Sequence, residues 1–113
     1  MSAAEAILDL EQLRAAFGEI DDDVREMMHL FVETTAPMLD ALDDHIAVRD
    51  RTAVEDCAHS AKGAARSAGA NAMAAACEAL ELAAGAGDWV EIELRMVAVR
   101  PAFEAARQAI ADL

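Results

Sequence analysis

Val24, Met27, Met28, Phe31, Thr35, Leu39, Leu42 and Ile46 recur at helical spacing, and nowhere does the chain alternate β-branched with polar residues as a half-buried strand does. A chain patterned this way buries its apolar side chains by packing helix on helix. Alanine, leucine, methionine and glutamate are abundant and tyrosine is absent, so the expected fold class is all-α. At 113 residues it is long enough for one domain, spanning 1–113, with a modest core.

Punctuation divides the pattern into helices. Asp9 is placed to cap a short opening helix through Phe17, with Gly18 as its stop. Asp21-Asp22-Asp23 puts negative charge at the start of the next helix, where the macrodipole favours it. Pro37 falls inside that helix and should bend it. A further helix, about 50–68, begins near Asp50, or at Thr52 with Glu55 as capping partner, and stops at Gly69. Asn71 is expected to cap its successor, whose apolar face is Met73, Ala76, Cys77, Leu80 and Ala84. Asp88 with Glu91 opens a last helix carrying Val90, Leu94, Val97, Phe103 and Ile110 on its apolar side, and Pro101 should kink or divide it. Short connections between long helices favour an up-and-down antiparallel four-helix bundle with a short extra N-terminal helix.

Helix 50–68 holds the most informative residues. His59-Ser60-Ala61-Lys62-Gly63 places the chain's only lysine one turn from a histidine, with a glycine that costs about 1 kcal/mol relative to alanine inside a helix. At about 100° per residue, Glu55, Asp56, Lys62, Gly63 and Arg66 fall within roughly 60° of His59, and the alanines cluster opposite. His59 is therefore expected to face solvent. Imidazole is nucleophilic near neutral pH, Lys62 and Arg66 stand where cations offset an anion at the ring, and Gly63 clears space for another backbone. Together these point to phosphoryl chemistry. A hairpin turning near Ala70 sets Glu81 level with His59, since each is eleven residues away. Glu81 is then either the carboxylate that orients the ring through Nδ1–H or a solvated helix residue.

These residues resemble the histidine-containing phosphotransfer (HPt) domains of two-component phosphorelays, whose signature is similar to His-x-x-Lys-Gly-x5-Gly. Here it is met by His59, Lys62, Gly63 and Gly69, and the likeness extends through Pro37, Cys77, Leu80, Glu81 and Gly87-Asp88. The resemblance implies a phosphocarrier: His59 accepts a phosphoryl group from a receiver-domain phospho-aspartate and passes it to another receiver. Lys62, Gly63 and Arg66 would neutralise the phosphate or contact the receiver, and Glu81 would orient the histidine. The implied partners are receiver domains of response regulators or a hybrid histidine kinase, with Mg²⁺ brought by the receiver and no cofactor expected in this chain.

A net charge of −13 argues against nucleic acid or an anionic membrane surface as partner. No phosphate loop of the Walker kind or kinase signature occurs, so no ATP-dependent kinase activity is expected. Cys57 and Cys77 lack metal spacing and read as free buried thiols of a reducing compartment, giving an expected cytoplasmic location. His29 and His45 lie amid carboxylates without a Glu-x-x-His pair, so no metal site is expected. A monomer is expected, and the initial methionine suggests a stand-alone shuttle. Two rival readings are a docking adaptor that regulates a receiver or kinase without being phosphorylated, and a small hydrolase or transferase using His59 as general base. A convex helix face disfavours the latter.

Overall fold

The computed structural model describes residues 7–113. They contain five helices: α1 (Leu10–Phe17), α2 (Asp22–Ala47), α3 (Arg51–Ser67), α4 (Asn71–Ala86) and α5 (Trp89–Ala111), and among the described residues there is no strand. Four of them start on an aspartate. The carboxylates of Asp9, Asp21, Asp50 and Asp88 accept from the N–H of Gln12, Val24, Ala53 and Glu91 at 2.9–3.2 Å. Each satisfies an orphan donor and contributes about 1 kcal/mol. The start of α3 is thus set by Asp50, and Thr52 lies within the helix.

The start of α4 differs from expectation. Its cap position is Ala70, which makes no side-chain bond, and Asn71 is already the first helical residue. Ala70 is fully buried, because α1 lies over this turn: the Asp9 N–H donates to the Gly69 carbonyl at 2.9 Å, and Gln12 Nε2 donates to the Arg66 carbonyl at 2.7 Å. A small apolar residue suits that site.

Neither proline divides its helix. α2 runs through Pro37 and α5 through Pro101, both on solvent-facing positions, where water can bond the carbonyl that proline leaves without a partner. Between α2 and α3, Arg49 takes a left-handed conformation (φ 59°) usually filled by glycine. Its guanidinium lies 5.0 Å from the centre of the Trp89 ring and 3.5 Å from Glu93, contacts that offset the backbone cost.

Helix α2 packs on α3, α3 on α4, α4 on α5, and α5 returns to α2. The core is built from Val24, Met28, Leu39, Leu42, Val54, Leu80, Ile92, Val99, Phe103 and Ile110, with Phe31 and Phe103 in tilted contact at 6.5 Å. Two expected apolar faces need correction. Met27 is 46% exposed, and Val90, Leu94 and Val97 are 79%, 57% and 71% exposed. Ile92 and Val99 fill the core instead, because α5 is apolar on both sides and spacing alone does not say which side faces inward.

The α3–α4 contact is the closest of the bundle. α3 buries Val54, Ala58, Ala61 and Ala65, and α4 answers with Met73, Ala74, Cys77, Leu80, Ala83 and Ala84. Cys57 is half-buried, its thiol donating to the Met38 carbonyl at 3.4 Å, and both cysteines are free. Burial, then the neighbouring Cys57, pushes the Cys77 thiol up to about 11.

Gly69 and Gly87 both have positive φ, 74° and 73°. An added Cβ at Gly87 would meet only the Arg51 side chain at 3.5 Å, but at Gly69 it would lie 3.2 Å from the Asp9 carbonyl oxygen. Gly87→Ala is expected to cost about 1 kcal/mol for the left-handed backbone, and Gly69→Ala about 2 kcal/mol or more because α1 must also shift. Urea denaturation of the two variants measures the difference.

Candidate functional site

The close approach of α3 and α4 brings His59 and Glu81 together. Glu81 Oε2 is 2.8 Å from His59 Nδ1, and Glu81 Oε1 accepts from Lys62 Nζ at 2.5 Å. One carboxylate therefore holds two members of the motif at once. An ionised carboxylate only accepts, so the ring nitrogen facing it is the donor, and in the neutral ring this places the lone pair on Nε2. The His59 side chain is 68% exposed, and Nε2 is the nitrogen free of Glu81.

Lys62 sits differently from what the helical wheel suggests. Its side chain is only 13% exposed, lying along the α3–α4 seam with its ammonium on Glu81. A long flexible side chain need not follow the direction of its Cβ, and the carboxylate on α4 decides where it goes. Arg66 is also paired: Nη2 lies 3.4 Å from Glu78 Oε1, with both side chains about half exposed. Each cation of the site thus has a carboxylate of α4 opposite it.

Glu81 is held below the ordinary carboxylate range. The first cause is the hydrogen bond from Lys62; burial opposes it, and the hydrogen bond from His59 adds to it. For an acid whose pKa is depressed on folding, the stabilisation is present above its unfolded pKa and is lost as pH falls through the folded value. Glu81 consequently stays ionised at neutral pH, and its contribution is lost on acidification below the usual carboxylate range.

Gly63 adjoins His59 on the side away from Glu81. A Cβ built there would meet nothing within 4 Å, so this chain's own packing does not require the glycine. Alongside lies an apolar groove of about 330 Å³ between α2 and α3, lined by Met27, Leu30, Phe31, Thr34, Ala64 and Ser67 among others. Leu30 is 56% exposed and is the part of this surface that sequence reasoning missed. The signal was present: Met27, Leu30 and Thr34 form a second stripe at i, i+3 and i+7 beside the core stripe.

Neither His29 nor His45 joins the site, and among the described residues no group of His, Cys, Asp and Glu side chains has the arrangement of a metal site. No helix there is long and apolar enough to cross a membrane.

The family model of the Hpt domain matches residues 26–112, more than three-quarters of the chain. The chain belongs to the Hpt domain family. No curated protein and no solved structure matches it. The matched span of the Hpt domain starts within α2, so α1, which seats the α3–α4 turn, lies outside it. Membership assigns the broad activity, histidine phosphotransfer in two-component phosphorelays, and the broad class of partner, the receiver domain.

Because Lys62 is the first cause of Glu81's lowered pKa, Lys62→Met should move Glu81 upward more than His59→Gln does. Carboxyl carbon NMR titrations of the two variants test this ordering. Equal shifts would mean that the lysine is not the dominant partner.

Proposed function

We propose that this Hpt domain is a phosphorelay intermediate whose phosphoacceptor is His59, taking the group from phospho-aspartate on one receiver domain and giving it to another. The observation that carries the reading is the solvent-exposed imidazole with Nδ1 engaged by Glu81, which leaves Nε2 as the outward nucleophile. In the forward step the Nε2 lone pair forms the N–P bond while the P–O bond to the aspartate breaks, and that electron pair returns to the aspartate as carboxylate. Nδ1 keeps its proton throughout, so the ring becomes cationic as phosphorus arrives. The Glu81 carboxylate faces that developing charge and fixes the ring's direction, which lowers the barrier without moving a proton.

Lys62 acts chiefly through Glu81, holding it ionised and in place, and its charge stays beside the incoming group. Arg66, one turn further on, offers a guanidinium that can exchange Glu78 for phosphate oxygens or a receiver side chain. Gly63 and the α2–α3 groove supply the docking surface: open backbone beside the histidine, then apolar contact from Met27 and Leu30. Pairings such as Arg100 with Asp40 and Asp43, and Arg51 with the Ala84 carbonyl, support reading the four long helices as an up-and-down bundle. The relay role carries with it a cytoplasmic setting, where receivers are phosphorylated.

Incubation with a panel of aspartyl-phosphorylated receivers, kept alkaline because phosphohistidine is acid-labile, should add one phosphate that fragment analysis maps to His59. His59→Gln should accept none while its melting temperature stays nearly unchanged, as fits an exposed side chain. No phosphate from a receiver that binds the protein would favour the docking adaptor instead.

Gly63→Ala separates fold from function. Filling open helix surface with alanine should raise stability by up to about 1 kcal/mol. It should also slow phosphoryl acceptance about tenfold, equivalent to roughly 1.4 kcal/mol of lost approach. Stopped-flow or gel-based transfer rates beside a denaturation curve report both effects, and an unchanged rate would remove Gly63 from the docking surface.

A further inference from the structure

Opposite His59, α4 presents a carboxylate, and one turn further on it presents a glycine. Counted out from the turn at Ala70, Glu55 stands level with Gly85 as His59 does with Glu81. Gly85 lies inside α4, where glycine weakens the helix relative to alanine. The space it leaves is occupied: a Cβ built on Gly85 would stand 2.8 Å from Glu55 Oε2, closer than such atoms pack. The Glu55 carboxylate therefore lies over the backbone of α4. Arg51 holds it from the other side, with Nη1 3.6 Å from Glu55 Oε2 while donating to the Ala84 carbonyl at 3.1 Å.

Glu55 is also placed to reach His59. The two are four residues apart on one helix face, the spacing at which opposite charges pair. A second carboxylate at the ring would oppose phosphotransfer twice. It would favour the protonated imidazole, in which Nε2 has no lone pair to give, and it would repel the anionic phosphoryl group. Such a charge acts most strongly at the α3–α4 seam, where Lys62 and Glu81 are largely shielded from solvent. Asp56, three residues before His59, stands on the opposite flank beside Gly63 and is exposed, so water screens it. Of the carboxylates nearest the ring, Glu81 engages Nδ1 and Glu55 is the one turned aside.

We infer that Gly85 and Arg51 are positioning residues: together they hold the Glu55 carboxylate over α4 and away from His59, keeping the Nε2 lone pair available to phosphorus. This role rests on His59 being the phosphoacceptor, and it gives α4 a glycine with a function outside the signature.

Phosphoramidate, a small donor that needs no receiver, tests the role on the whole chain: the Nε2–P bond forms as the donor's P–N bond breaks and ammonia leaves. Gly85→Ala keeps every charge and displaces only the far end of a flexible side chain, so the helical CD signal and melting temperature should not fall. It should slow phosphorylation of His59 at neutral pH at least about twofold and move the rate–pH profile to higher pH than that of the wild type. Arg51→Met, which releases the carboxylate from the other side, should act in the same direction. Adding Glu55→Gln to either variant should restore the wild-type rate and profile, which a defect of packing would not allow. Unchanged rates in both Gly85→Ala and Arg51→Met would overturn the assignment, as would slowing that Glu55→Gln leaves in place. A wild type that phosphoramidate modifies at His59 while no bound receiver does would remove the relay role and leave the part played by Gly85 standing. Failure of phosphoramidate to modify His59 would overturn both, since both need an open Nε2.

Discussion

The close seating of α3 on α4 through alanine is the constraint on which the site depends. Ala58, Ala61 and Ala65 are fully buried against a face of α4 that includes Ala74, Ala83 and Ala84. Larger side chains there would push the helices apart, in a core packed tightly enough to feel each added methylene. The distances at Glu81 follow from this approach, since a glutamate side chain on a more distant helix would not touch His59 and Lys62 together. α1 reinforces the arrangement from one end by covering the turn at Gly69 and Ala70, and Arg51 does so from the other by donating to the Ala84 carbonyl at 3.1 Å. The motif's two glycines thereby have opposite reasons: Gly69 serves the chain's own packing, and Gly63 leaves space that the chain itself does not fill.

Glu81 keeps the lysine close without exposing it and engages the imidazole from the same carboxylate. In the proposed relay step it would face the positive charge that phosphorylation creates on the ring. Arg66 and Glu78 repeat the pairing one turn away. Such exposed pairs contribute little to stability, where the median is about 0–1 kcal/mol, so their interest lies in where they hold charge. The bundle then separates its surfaces by composition. The α2–α3 side couples an open glycine to an apolar groove, and the α5 side carries an apolar stripe.

Much of this was legible along the chain. Aspartates at 9, 21, 50 and 88 act on donors three residues away, so local rules found them, as they found the stops at Gly18 and Gly69. Counting residues from the turn at Ala70 was enough to set Glu81 level with His59, because antiparallel neighbours joined by a short turn have only one register. Asn71 misled because the best capping residue by type stood one position past the turn, where burial beneath α1 selected alanine. Val90, Leu94 and Val97 misled because α5 offers two apolar sides, and only the neighbours of a helix decide between them.

Sequence by itself determined the helical class, the order and most boundaries of the helices, and the outward direction of His59, all of which follow from periodicity and contacts within a few residues. The tertiary structure alone decided where Lys62 sends its charge, that one carboxylate serves both the lysine and the histidine, and which face of α5 meets solvent. Those outcomes depend on distances between helices, and helix spacing is a property of packed side chains from distant parts of the chain.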